Sequence, residues 1–382
     1  MDILVIVDDS GSMAPTQAKL AEAILSLLSP LESAEISYRI AVTTTDNGNP
    51  RCPKVATTPT EGGLVLSSCI DRVFEGDFLY NGVDPPLDGS YACTNFCNMS
   101  NQDLKLKPTT TEVDPVPKVH PWVEFDGQLS NIPDGVSPAQ ALQCFLPQGI
   151  SGCDYASPLE SLFRAVERWT DPSDKGYGFM RTNAHFVAIV VGDTTDCSVV
   201  GLYDEIFIDN KTFWNSPDDP IPTAAVCWRA GVSCSGGGPV FVECHAENYN
   251  TAGQSGVIDT AAVLQPISRY MKLFESIQEE KATAGLEGPS ARMFLIEGVP
   301  PGYSSGDSLI FSAMGDQAYL DEYGIDAGCS NGSTVATPPV RELEVAAAFI
   351  GRAASPAFSV CDSDFNSSLG EIASDIILAL AR

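Results

Sequence analysis

The stretch Ile3-Leu4-Val5-Ile6-Val7-Asp8-Asp9-Ser10-Gly11-Ser12-Met13 is an apolar run that stops at Asp8-x-Ser10-x-Ser12. Five aliphatic residues without polar alternation predict a strand buried on both faces. An amphipathic helix is expected next, over about Thr16–Leu28. Such a strand–loop–helix unit presents its loop at the edge of an open α/β sheet where ligands bind. The loop offers one carboxylate and two hydroxyls. Oxygen donors of this kind suit Mg²⁺, Ca²⁺ or Mn²⁺ and not a soft metal. Two of the three are neutral, so a bound cation keeps enough charge to draw an acidic group from a partner. The plainer alternative is an acidic turn in which Asp9 or Ser10 caps the helix.

Reading outward, Glu35–Thr45 is rich in β-branched and aromatic residues and should form the second strand. Gly63–Ser67 reads as a short antiparallel edge strand, and Pro158–Thr170 as a helix with Leu159, Leu162, Phe163 and Val166 on one face. His185–Val191 is an apolar run ending in Gly192-Asp193, the pattern of a central parallel strand. Ile258–Lys281 has helical spacing with a break expected at Pro266, and Arg292–Val299 is a further buried strand. Val340–Arg352, Ala357–Cys361 and Asn366–Ala381 complete the series as helix, strand and helix. Strands alternating with helices define an α/β fold with a mostly parallel central sheet, one antiparallel edge strand and helices on both faces. Three irregular stretches, about 70–150, 197–256 and 300–337, read as insertions in a single domain spanning 1–382.

With 44% hydrophobic and 19% charged residues the chain can bury a sizeable core. Its 50 acidic residues against 21 basic ones give a formal charge of −29, which excludes a nucleic-acid footprint and disfavours anionic membranes. No apolar run reaches the roughly 18 residues of a membrane-spanning helix. Met1-Asp2 leads straight into a core strand without the parts of a signal peptide. The chain therefore reads as cut at a domain edge, with a signal, a lipid anchor or a larger parent protein lying outside it. Twelve cysteines, mostly in Gly/Pro/Asn-rich stretches, read as disulfides stapling loops in an oxidising, extracytoplasmic compartment. Sequence neighbours such as Cys144 with Cys153 and Cys329 with Cys361 are the expected pairs. Cys93-x3-Cys97 and Cys227-x6-Cys234-x9-Cys244-His245 lack the paired short spacings of a zinc ribbon.

Asp8-x-Ser10-x-Ser12 at the end of a first strand resembles the metal-ion-dependent adhesion site of von Willebrand factor type A domains. The stretches 42–46, 191–198 and 358–362 resemble the cysteine-bearing members of that family from bacterial envelopes, which are secreted or lipid-anchored. The resemblance implies a Rossmann-like sheet and ligand capture through a divalent cation. It also implies three ligand loops. The third should supply an Asp after the fourth strand, and Asp193 stands there, with Asp196 as a weaker candidate that caps or supports. The second should supply a Thr before the helix at 158, yet residues 149–158 contain none. Ser151 is assigned that hydroxyl, with Ser157 and Asp154 as alternatives; Ser157, before Pro158, has its own reading as a helix N-cap.

The sequence lacks a Gly-x-Ser-x-Gly elbow and a phosphate-binding glycine loop, and its three histidines, His120, His185 and His245, form no recognisable nucleophile–base relation. The expectation is therefore a binding module and not an enzyme. Its partner would be a protein or other ligand with an acidic group; the runner-up is a structural component of a surface assembly.

Overall fold

Alternate residues of the first strand, β1 (Asp2–Val7), enter two different apolar layers. Ile3, Val5 and Val7 pack on one face of the sheet, while Leu4 and Ile6 pack on the other. This two-sided burial is what the unbroken apolar run predicts. The computed structural model describes residues 1–52, 57–351 and 355–380.

The helix α1 (Ala14–Ser33) lays Leu20, Ile24, Leu27, Leu28 and Leu31 against the first layer. It is longer than the spacing suggested, and neither Asp9 nor Ser10 caps it: Met13 holds the cap position without a side-chain bond. β2 (Tyr38–Thr44) and a short strand β3 (Val123–Phe125) follow. α2 (Pro158–Trp169) then leads to β4 (Phe186–Val191), and α3 (Ile267–Thr283) to β5 (Ala291–Glu297). α4 (Val340–Ala348), β6 (Ala357–Ser359) and α5 (Asn366–Leu380) close the chain. The sheet order is β6-β5-β4-β1-β2-β3, and every pairing is parallel except β2 with β3. The fold is thus α/β with a six-stranded, mostly parallel sheet. α1 and α5 share one apolar layer; α2, α3 and α4 share the other.

Several expectations need correction. Residues 63–67 form no strand. The antiparallel edge strand is Val123–Phe125, which takes the first half of β2 at Tyr38–Ile40. The 63–67 segment runs past the second half with a backbone bond from Val65 N to Val42 O (2.8 Å), and Gly63 O accepts from the Thr43 hydroxyl. The expected helix 258–281 begins only at Ile267, because Pro266, lacking an N–H, takes the cap position; residues 259–261 make a separate 3₁₀ turn. The helix expected over 340–352 ends at Ala348, with Phe349 in the C-cap position; Arg352, its expected last residue, and Ala381, that of the last helix, lie outside the described residues.

The twelve cysteines form six disulfides: Cys52–Cys153, Cys69–Cys93, Cys97–Cys144, Cys197–Cys227, Cys234–Cys244 and Cys329–Cys361. Cys329–Cys361 is as expected. Cys144–Cys153 is not: Cys144 faces inward from a helix at Pro138–Phe145 and meets Cys97, leaving Cys153 to reach Cys52. The sulfurs of Cys69, Cys93 and Cys97 lie close together, but all three are held in disulfides. Six disulfides fit an oxidising, extracytoplasmic setting. No helix among the described residues is long and apolar enough to cross a membrane.

Candidate metal centre

The strand order reverses at β1, whose neighbours are β2 on one side and β4 on the other. The crevice at such a switch point, beyond the carboxyl ends of the strands, is where open α/β sheets bind ligands. Asp8 follows β1 and Asp193 follows β4, and Val7 lies in register with Val191. Asp8 N donates to Val191 O (2.9 Å), which anchors the first loop to the fourth strand. Gln17 of α1 ties it to the second loop: its amide donates to Asp8 O (2.9 Å) and Gly149 O (2.7 Å) and accepts from Gln148 N and Gly149 N.

The first and third loops meet as expected. Asp8 is 1% exposed and Asp193 is 4% exposed. Asp8 Oδ1 accepts from Ser10 N (2.8 Å), an Asx turn that holds the loop. The Ser10 and Thr45 hydroxyls flank Asp8, and the Ser12 hydroxyl faces Asp193. Burial, opposed by Ser10 and reinforced by Asp154, pushes Asp8 up to about 6. Burial and the Asp8 charge push Asp193 up to about 8. Among the described residues, Ser10 Oγ, Thr45 Oγ1 and Asp193 Oδ1 are buried with no hydrogen-bond partner. Buried polar atoms are nearly always paired, so unsatisfied oxygens gathered at one strand edge fit a hard cation.

The second loop brings Asp154 into the same field. Burial raises its carboxyl; Tyr80 Oη donates to Oδ2 (3.2 Å) and the Gly11 N–H also donates to it, both favouring the charged form. The Tyr80 ring lies so close to Gly11 that a Cβ there would sit 2.8 Å from it. Ser151 is half-buried beside Gly152, whose N–H donates to Asp9 O (2.8 Å); no hydrogen bond links the Ser151 hydroxyl to the cluster among the described residues. Ser157 turns away: its hydroxyl donates to Cys197 O (3.0 Å). Nor does its side chain cap α2. Asp196 Oδ1 and Ser198 Oγ accept from Leu159 N and Glu160 N instead, and Asp196 also pairs with Arg341 (3.1 Å). Asp196 is therefore a capping residue, one of the two roles open to it.

Glu297, the last residue of β5, was not foreseen. A Cβ at Gly192 would lie 3.5 Å from Glu297 Oε1 and 3.6 Å from Asp8 Oδ2, so the two carboxylates adjoin. Burial holds Glu297 well above its usual range, helped by Glu342, Asp196, Asp8 and Asp193. A helix at Gln317–Tyr323 covers this edge with Tyr319 and Tyr323, whose rings are 4.5 Å apart. Both phenols are raised by burial and by the Asp193 charge, and Tyr319 Oη is buried without a partner among the described residues. The stretch returns to the site where Thr337 N donates to Asp193 O (2.9 Å).

The histidines lie elsewhere. His185 precedes β4 at the opposite sheet edge, His120 stacks on Trp122 at 4.2 Å, and His245 is in the hairpin 232–246. No family model matches the chain, and neither a curated protein nor a solved structure matches it at a significant level.

Proposed function

We propose that the chain is an extracytoplasmic ligand-binding module of the von Willebrand factor type A kind, which captures an acidic group of a partner through a divalent cation. Asp8, Ser10, Ser12 and Asp193 would hold Mg²⁺, or Ca²⁺ or Mn²⁺, with Ser151 as the assigned hydroxyl of the second loop. The observation that carries this reading is a set of buried carboxylates that repel one another beside oxygens without partners. Cation binding would supply the missing positive charge and satisfy those oxygens together. Asp154, already accepting from Tyr80 and Gly11, fits an outer role that orients the first loop.

In this reading the irregular stretches elaborate one domain and wall the site, Tyr80 coming from the first and Tyr319 and Tyr323 from the last. The site serves binding and not catalysis; its ligands are hydroxyls and carboxylates, with no histidine at this edge to work as a base. A lipid anchor or larger parent protein outside the chain would fix it to the envelope. Partner capture measured with and without chelator, and with Asp8→Ala, tests the reading. Loss in both is expected; undiminished capture in both would sink it.

One observation favours a second reading, a docking body within a surface assembly. Tyr319 and Tyr323 are near enough to Asp193 for its charge to raise both phenols, and Asp8 and Asp193 are almost fully covered. A covered cation would stabilise the fold without meeting a partner. Partner contacts that survive chelation, while thermal stability falls, would select this reading.

A further inference from the structure

Asp8 and Asp9 are consecutive, yet they face different neighbours. Asp8 looks towards Asp193 beyond β4, whereas the charge that bears most on Asp9 is Asp46, two residues beyond the end of β2. The Asp9 side chain is also deeply buried, at 5% exposed, and its Oδ1 makes no hydrogen bond among the described residues. Asp46 is 0% exposed; its Oδ1 accepts from Gly48 N (2.8 Å), and its Oδ2 has no partner among the described residues.

One peptide unit touches both carboxylates. A Cβ at Gly152 would collide with the Asp9 carboxylate, and the next backbone N–H, that of Cys153, faces the Asp46 carboxylate. The two acids are therefore close, held by the loops that the Cys52–Cys153 disulfide joins. Other oxygens converge: the Thr44 hydroxyl lies beside Asp9, and the Thr57 hydroxyl, also buried, lies beside Asp46. Among the described residues no lysine or arginine is hydrogen-bonded to either carboxylate. Arg72, the cation bearing on Asp9, is bonded to Asp77 (2.8 Å) and to Gln148. A cleft of about 410 Å³ lined by Asn47, Gly48, Cys52 and Ser157 opens beside the loop that follows Asp46.

We propose that Asp9 and Asp46 hold a second divalent cation, between the ends of β1 and β2, distinct from that of the Asp8–Asp193 cluster. All the donors are oxygens, which selects Ca²⁺, Mg²⁺ or Mn²⁺ over zinc or copper. Two carboxylates match the charge of one such ion, and the hydroxyls with water complete its shell. A buried carboxylate oxygen without a partner is costly, and a bound cation offsets that cost.

The test is stoichiometry. Protein stripped with chelator and reloaded with Mn²⁺ by equilibrium dialysis should bind two ions per chain. Asp46→Asn should bind one, and Asp8→Ala should bind one. A wild-type count of one that Asp46→Asn leaves intact and Asp8→Ala removes overturns the second site and spares the adhesion-site reading. A count of one with the opposite mutant pattern does the reverse, and a count of zero sinks both. If Asp46→Asn does not fold, the wild type and Asp8→Ala decide: two ions, or one that Asp8→Ala leaves in place, supports the site, and one that Asp8→Ala removes overturns it.

Discussion

The two ends of β1 both bury charge, but they treat it differently. At the amino end, Asp2 is fully covered and its carboxylate accepts from Arg181 N (2.6 Å) and Arg181 Nε (2.8 Å). Nearby, Arg39 pairs with Glu124 at 3.3 Å, and Lys281 donates to the carbonyls of Arg181 and Ala184. At the carboxyl end, Asp8, Asp9, Asp46 and Asp193 crowd together with no lysine or arginine hydrogen-bonded to any of their carboxylates among the described residues. Paired charge at the first end knits strands and loops together. Unpaired charge at the second is a standing cost that the fold alone does not offset, the mark of a site completed from outside.

The sharpest way to break this comparison is to remove one charge from each end. Arg181→Ala strands Asp2 in the interior and should cost about 3–5 kcal/mol of unfolding free energy in urea. Asp193→Asn, measured in chelator, removes a source of repulsion and should be neutral or stabilising. Equal destabilisation by the two would mean that the carboxyl end is balanced within the protein, and the contrast would fall.

Cation dependence comes next in size. Mg²⁺ at a hundredfold excess over its dissociation constant should stabilise the wild type by about 2.7 kcal/mol. Asp8→Ala should lose the share contributed by its own site. Calorimetry with and without the ion reads this; an identical melting temperature in both would count against binding at either corner.

The gain should also depend on pH, because protons compete with the cation. The folded carboxyls of Asp8 and Asp193 lie above the ordinary carboxylate range, at about 6 and about 8. The metal-free fold therefore binds more protons than the unfolded chain between the ordinary range and about 8, and this contribution to its stability falls as pH rises. Mg²⁺ removes that loss. Its effect on melting temperature should be small below about 6 and grow until pH passes about 8. A gain that shrinks with rising pH would contradict the assignment of these carboxylates as ligands.

How much of this was legible in the sequence differs between strands and loops. β1, β4 and β5 announce themselves because a strand buried on both faces needs an unbroken apolar run, and Ile3–Val7, Phe186–Val191 and Met293–Ile296 supply it. β3 does not, because three residues carry no periodicity and its pairing depends on which segment reaches Tyr38–Ile40 first. The helix Pro138–Phe145 was readable but passed over: Ser137 and Gln140 form a capping box, and Pro138 opens the helix. Asp8 and Asp193 could be found because each ends an apolar strand. Asp154 could be offered only as an alternative in the second loop, and Glu297 not at all, since their partners Tyr80 and Asp8 are far away in the chain. Asp9 was masked by its neighbour, and read alone it suggested only a helix cap.

The smallest expected effect falls on the second loop, where a hydroxyl was sought and a carboxylate was found. If Ser151 is a direct ligand, Ser151→Ala should weaken Mn²⁺ binding at the Asp8 site more than a change at Asp154 does. The hydrogen bonds favour the other order. Asp154 accepts from Tyr80 Oη and Gly11 N–H and bears on both Asp8 and Asp193, so Asp154→Asn disturbs the loop that presents Ser10 and Ser12. Outer groups that orient ligands commonly contribute roughly tenfold in affinity, and Asp154→Asn should lose about that much. Ser151→Ala, with no bond to the cluster, should change affinity only marginally. Tyr80→Phe separates the two roles Asp154 has: it removes the phenol bond but leaves the carboxylate charge, so a loss matching Asp154→Asn points to orientation, and an unaltered affinity points to charge. Either outcome shows whether this end of β1 is set up by geometry, as the amino end is by Arg181, or by electrostatic field alone.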